Sequence, residues 1–299
     1  MGSLGWVLAI TAALAAAAAF GGAGVLQHRA THQAETERPL QPRLLLSLIR
    51  LRPFRSGVLL GAAGFGLQVV ALNFGPLILV QPLLVTGVLF FLAFGSVLDR
   101  HRPDGWIVAG ALLALVGLSL FLLVAQPSGG TGDLEIRDAL PLGLALLGVV
   151  AVCLLVASRL VAELQAVPLA AATAVCYGLT AGLVRSLTSP GVSGQLWDRW
   201  ELYAVAVVGP AGFLLNQNAF QSGMLGAVAT ATITVGDPIV AIGVGLLWLG
   251  ESVATGPVVI ACEVLTLMTM AAGIWLLAGR AQTLAEGMRA GPAPAGKPA

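Results

Sequence analysis

The chain reads as an all-α polytopic membrane protein with about nine transmembrane helices, in two inverted repeats of four joined by a linker helix. Three observations predict this class. Of 299 residues, 58% are hydrophobic and only 10% are charged, whereas soluble domains carry roughly a quarter charged residues. The apolar residues fall in successive runs long enough to cross a bilayer. The two halves resemble each other at a shift of about 150 residues.

The expected spans are roughly 4–26, 56–74, 77–98, 105–125, 139–158, 166–186, 202–220, 226–249 and 257–279. The first has no Lys/Arg n-region and is longer than a signal-peptide core, so it is expected to be retained. A basic loop, 27–55, follows and is expected in the cytoplasm. Within it, residues 41–53 form either an interfacial helix or a partial tenth span. The transmembrane domain covers 1–285. The tail, 286–299, is rich in Gly, Pro and Ala and is expected to be disordered.

Orientation follows from loop charge. Alternate loops collect twelve of the 15 Lys and Arg on one side, leaving only Arg137, Arg185 and Arg199 on the other. By the positive-inside rule the N-terminus lies outside and the C-terminus in the cytoplasm. The expected location is a bacterial inner membrane.

The repeat shows best in Gly61–Gly75, GAAGFGLQVVALNFG, against Gly209–Gly223, GPAGFLLNQNAFQSG, with seven identities in fifteen at a shift of 148. Gly117 matches Gly273 at 156, and Phe20–Gly21 matches Tyr177–Gly178 at 157. Val80–Leu83 also lines up with Gly236–Ile239 at 156, pairing Pro82 with Pro238. Four spans and one linker turn the second repeat upside down. That construction is common in secondary transporters, whose sites lie near the midplane at Pro/Gly interruptions.

Asp237 sits mid-span and Pro238 follows it. A proline removes a helix donor, and freed backbone groups are tolerated only beside protein or a water-filled cavity. A mid-membrane acid costs several kcal/mol unless paired, protonated or hydrated. Asp237 therefore reads as a cation or proton site, or as a neutral acid or a partner to Arg185. Thr230 and Thr234 share a helix face with each other; they line the cavity or bond back to their own helix. Asn216, Gln217, Asn218 and Gln221 place four amides in span seven, to bind a polar solute or to hold helices together. Gln68, Asn73, Gln81 and Pro82 are their first-half counterparts or neighbours. Glu263, two turns into span nine, partners Asp237 or a basic residue or faces a shallow cavity, and with Asp237 it is the expected metal ligand if a cation is carried. Glu251, closing span eight, reads as a solvated loop acid.

Other classes find little support. Net charge is +1, which gives no sign of nucleic-acid binding. Cys153, Cys176 and Cys262 lie in apolar runs without metal-site spacing. No nucleophile elbow, phosphate loop or acid/base set is visible, so neither an enzyme nor a cofactor is expected.

Pro238, then Leu249–Gly250–Glu251, then Gly273 resemble the pattern of the drug/metabolite transporter superfamily with its EamA-type repeats. Ala71–Leu83, ALNFGPLILVQPL, is similar to the NIPA magnesium-transporter branch. The resemblance implies a secondary carrier of a small solute by alternating access. The alternatives are a divalent-cation transporter of the NIPA kind and a non-transporting membrane scaffold. The expected partners are the lipid bilayer and a small-molecule or cation substrate, with a second copy in a homodimer left open.

Overall fold

The computed structural model describes residues 3–33, 51–99, 105–126, 128–130, 134–161, 164–189, 196–221 and 226–289. Residues 41–50 of the expected interfacial piece therefore lie outside the described residues, as do 290–299 of the tail. The architecture is helical, without a strand among the described residues. The helices are α1 (Ser3–Gln33), α2 (Arg52–Phe74), α3 (Leu77–Leu84), α4 (Gly87–Asp99), α5 (Gly105–Ala125), α6 (Ile136–Arg159), α7 (Ala166–Thr188), α8 (Trp200–Gln221), α9 (Gly226–Leu247) and α10 (Pro257–Arg289). Seven stretches among the described residues are long and apolar enough to cross a membrane, one of them spanning α3 and α4. The chain thus has the make-up of a multi-pass membrane protein. Two helices outrun their expected spans: α1 continues to Gln33, and α10 continues into the tail as far as Arg289.

Local chemistry sets the boundaries. Arg52–Pro53 opens α2, where a proline in the first turn loses no helix bond. Gly75–Pro76 ends it, since the residue before a proline is pushed out of the helical region. Pro82 lies inside α3, which stops two residues later. Val85 and Thr86 then donate to the Pro82 and Leu83 carbonyls in tight i to i−3 turns, and the Thr86 hydroxyl also donates to Leu83 at 2.7 Å. The span restarts at Gly87. Pro238 behaves differently: α9 runs unbroken through it. A helix interruption paired between Pro82 and Pro238 is therefore corrected to one break, in the first half.

In the packing, α1 lies against α2 and α4, and α7 against α8 and α9. The α5 and α10 helices pack on each other, and α3 crosses α9. Deep in the bundle, α7 is buried along most of its length. By contrast α6 packs on α7 and leaves Leu140, Leu144, Leu147, Val152 and Leu155 exposed. In water that surface would be a liability; in a bilayer it meets lipid.

Contacts in the first half recur in the second. A Cβ at Gly64 would meet Ala19 and Phe20; one at Gly212 would meet Cys176 and Tyr177. Gly61 faces Ala23 as Gly209 faces Thr180, both at 3.7 Å. Gly21 approaches Phe90 and Phe91 as Gly178 approaches Val240 and Ala241. That last pair matches Gly87 to Asp237 and Val88 to Pro238, at a shift of 150, so the register pairing Pro82 with Pro238 is replaced. The α5–α10 contact is reciprocal: Gly117 sits on Thr266 and Met270, and Gly273 on Gly110 and Ala114, the same contact shifted by 156.

At Gly117 and Gly273 the close approach is to backbone, so an added side chain has no flexible atom to push aside. Small residues are what let helix backbones meet in lipid. Gly117→Leu or Gly273→Leu is expected to separate α5 from α10 and to destabilise the protein by about 1–3 kcal/mol, the usual range for overpacking. Thermal unfolding in detergent checks this, with Gly95→Leu, where a Cβ meets nothing within 4 Å, as the control.

Candidate functional site

At the end of the bundle where α2, α7 and α9 finish, two opposite charges are buried together. Arg185, in the last turn of α7, lies 3.4 Å from the carboxylate of Glu251, with the side chains 2% and 0% exposed. Each charge also serves a helix terminus. Glu251 accepts from the backbone N–H of Leu77 at 2.6 Å and of Ile78 at 2.9 Å, capping α3. An anion is favoured there by the positive helix end. Arg185 donates to the Leu72 carbonyl at 2.7 Å, near the end of α2, where a cation is favoured. Gly250, at φ +60°, turns the chain after α9, and the Glu251 N–H donates back to the Gly245 carbonyl at 3.0 Å. Burial pushes the Glu251 carboxyl above the ordinary glutamate range, while the Leu77 and Ile78 N–H groups and Arg185 pull it down.

A second buried carboxylate lies nearby in sequence. Glu201 takes a hydrogen bond from Ser186 at 3.0 Å and pairs with Arg199 at 2.6 Å. Overhead, the loop after α5 crosses the loop after α9 through paired Ser128 and Ser252. Gly130 lies so close that a Cβ there would collide with the Leu249 carbonyl. Sequence reasoning left Glu251 in solvent and offered Arg185 to Asp237; both expectations are corrected here. The signal for the pair was available, because a lone arginine in an apolar span needs a partner.

A polar set without ion pairs lies along α7, α8 and α9. Asp237 is on α9, and its Oδ1 is buried with no hydrogen-bond partner. Asn216 on α8 likewise has a buried Oδ1 without a partner. Tyr177 on α7 joins them: its hydroxyl lies beside the Asn216 amide and within electrostatic reach of Asp237. Sequence reasoning missed Tyr177 as a site residue, although its match with Phe20 marked a hydroxyl found in one half only. On α3, Gln81 is 1% exposed, and neither end of its amide has a partner. The helix that carries it, α3, packs on α9.

The remaining predicted residues divide. Gln217 is buried and donates to Gln27 at 3.2 Å, which makes it a link between α8 and α1. Asn218 bonds back to the Leu214 carbonyl at 2.8 Å. Pro82 and Pro238 are buried, Thr234 and Gln68 are half-buried, and Asn73 is exposed at the helix end. Glu263 is half-buried on α10 with Oε1 unpartnered. The side chains of Thr230 and Gln221 lie outside the described residues. No group of three His, Cys, Asp or Glu able to hold a metal occurs among the described residues.

The chain is 26% identical over 249 residues to an uncharacterized protein of Corynebacterium glutamicum, an alignment covering 82% of this chain and 86% of that relative. No protein-family model matches the chain. No solved structure matches it.

Removing one partner of a buried ion pair strands the other charge, which costs about 3–5 kcal/mol. Glu251→Gln and Arg185→Met are each expected to lower stability by an amount of that order. The double variant is expected to lose less than the sum, because the two sites are coupled. Thermal unfolding of the four proteins in detergent checks this. Additive losses would show that the pair does not act as a unit.

Proposed function

We propose that this protein is a secondary transporter of a small polar solute working by alternating access, with the drug/metabolite transporter plan suggested by the motif resemblance. On this reading it crosses a bacterial plasma membrane about nine times, with the N-terminus outside.

The observation that carries the proposal is the reciprocal contact of Gly117 with Met270 and Gly273 with Ala114. As numbering rises along α5 it falls along α10, so the helices are antiparallel. A rotation that exchanges two antiparallel helices has its axis across them. If they span the membrane, that axis lies in the membrane plane, the geometry of an inverted repeat. The recurring contacts of α1, α2 and α4 in α7, α8 and α9 support the same operation.

Such a protein has two conformations related by exchanging its halves. Exchange turns the contact of α2 with α7 into one of α8 with α1. Here α2 packs on α7, and Arg185 bonds to Leu72. Between α1 and α8 the corresponding link is the amide pair Gln27–Gln217 at 3.2 Å. That asymmetry supports a state closed at the Arg185–Glu251 end, which loop charge puts outside. Opening that end requires the ion pair to part from the α3 terminus.

The test is solute-driven current in proteoliposomes at fixed membrane potential, screening organic solutes and Mg²⁺. At least one solute is expected to drive current, and Asp237→Asn is expected to reduce it by about tenfold or more, the loss of roughly 1.4 kcal/mol of binding. Neither current nor tracer uptake with any solute, from protein whose unfolding transition shows it folded, would sink the transporter reading.

A further inference from the structure

We propose that the solute carries a protonated amine, and that its N–H donors are received by Asp237 and Asn216 beside Tyr177. This rests on the transporter reading for the word solute, but the site chemistry stands on its own.

The unpartnered atoms are of one kind. Asp237 Oδ1 and Asn216 Oδ1 are both acceptors, both buried and both without a donor. Once ionised, Asp237 has no proton to give the Asn216 oxygen, and the Tyr177 hydroxyl beside them brings a single O–H for both acceptors. Buried acceptors left without a donor cost about 1–3 kcal/mol each, more for a charge. What completes the set is a group with several N–H bonds and a positive charge.

The charge balance points the same way. Asp237 is the only acidic or basic residue in α9, and α3 has none. In α7 the one cation is Arg185, already held by Glu251 and the Leu72 carbonyl. In α8 the one charge is Glu201, paired with Arg199. On α10, packed against α9, lie the acid Glu263 and, further along, Glu286 and the cations Arg280 and Arg289. The charges that α7 and α8 bring are thus already paired, and Glu263, with its Oε1 also unpartnered, is the other carboxylate on a helix packed against α9.

The contact register gives Asp237 no acidic counterpart in the first half. The first-half counterpart of Asp237 is Gly87, that of Tyr177 is Phe20, and that of Asn216 is Gln68. A twofold-related site thus receives one carboxylate rather than two. Divalent cations are usually held by one or two carboxylates with several waters, and no cluster of three ligating residues is present among the described residues. Gln81, with an amide donor and acceptor both unpartnered, suits a neutral polar group elsewhere on the same molecule.

The experiment is titration calorimetry on the purified full chain with ethylammonium, tetramethylammonium and Mg²⁺, alongside the current assay. Ethylammonium is expected to bind saturably. Tetramethylammonium, equally charged but without N–H, is expected to bind at least about tenfold more weakly, the loss of charge-assisted hydrogen bonds. Asp237→Asn is expected to weaken ethylammonium about tenfold or more, and Asp237→Glu to restore part of it. Tyr177→Phe, which keeps the ring, is expected to cost a few-fold. All variants are first checked for an intact unfolding transition. Equal binding of both ammonium ions, Mg²⁺ binding in their place, or ethylammonium binding indifferent to Asp237→Asn would each overturn the inference. Currents driven by another solute, with no ethylammonium binding, would overturn it while keeping the transporter reading. Asp237-dependent amine binding with neither current nor tracer uptake for any solute would uphold the site and sink transport.

Discussion

The Arg185–Glu251 pair is the constraint on which one end of this bundle depends. Isolated, either charge would be intolerable where it sits, at 2% exposure or less. Together they still carry a desolvation cost that Coulomb attraction alone need not repay. What tips the balance is that each charge also closes a helix terminus. Glu251 takes the two free N–H groups at the start of α3, and Arg185 takes a carbonyl near the end of α2. In a bilayer those backbone groups have no water to turn to. The break between α2 and α3 at Gly75–Pro76 thus exists because a distant loop supplies its missing partners. Four chain segments are knotted at one point, and none can move far without stranding a charge.

Much of the fold was legible because membrane spans obey simple rules. Apolar runs marked α1, α2, the α3–α4 stretch, α5, α6, α7 and α10, the seven that are long and apolar enough to cross a membrane, and Pro53, Pro76 and Pro82 marked a start, an end and a break. The basic loop after α1 and the tail are where sequence and described structure part company. The helices α1 and α10 run past their apolar segments into polar ones, because a helix does not stop where hydropathy does; it stops where its hydrogen bonds are better made elsewhere. Pro238 was misleading for a related reason. A proline weakens a helix locally, but whether the helix breaks depends on packing, and Pro238 is buried in a helix held along its length by α7.

The site was legible in its membership and not in its pairing. Asp237, Asn216 and Gln81 stood out as polar atoms in apolar runs, and each keeps an unpartnered buried atom in the structure. Glu251 did not stand out, because a glutamate at the edge of a span is ordinarily solvated. Its burial comes from the crossing of two loops, a contact between residues more than 120 apart at Ser128 and Ser252. No local pattern reports such a crossing. The repeat register failed where it relied on a single proline, and became readable once glycine contacts tied α4 to α1 and α9 to α7 in the same way.

The two halves share a scaffold but not a chemistry. Matching positions carry Phe20 and Tyr177, Gln68 and Asn216, Gly87 and Asp237. On the proposed transport reading, the shared scaffold supplies two conformations and the unlike side chains decide what each one holds. Placing the acid at the position where the other half breaks its helix makes physical sense. In the first half the interruption at Val85–Thr86 is filled by the backbone's own tight turns and the Thr86 hydroxyl. In the second half the helix is continuous, so its backbone is largely satisfied and cannot receive a ligand. A polar group in that stretch has to come from a side chain, and α9 carries Asp237 together with Thr232 and Thr234.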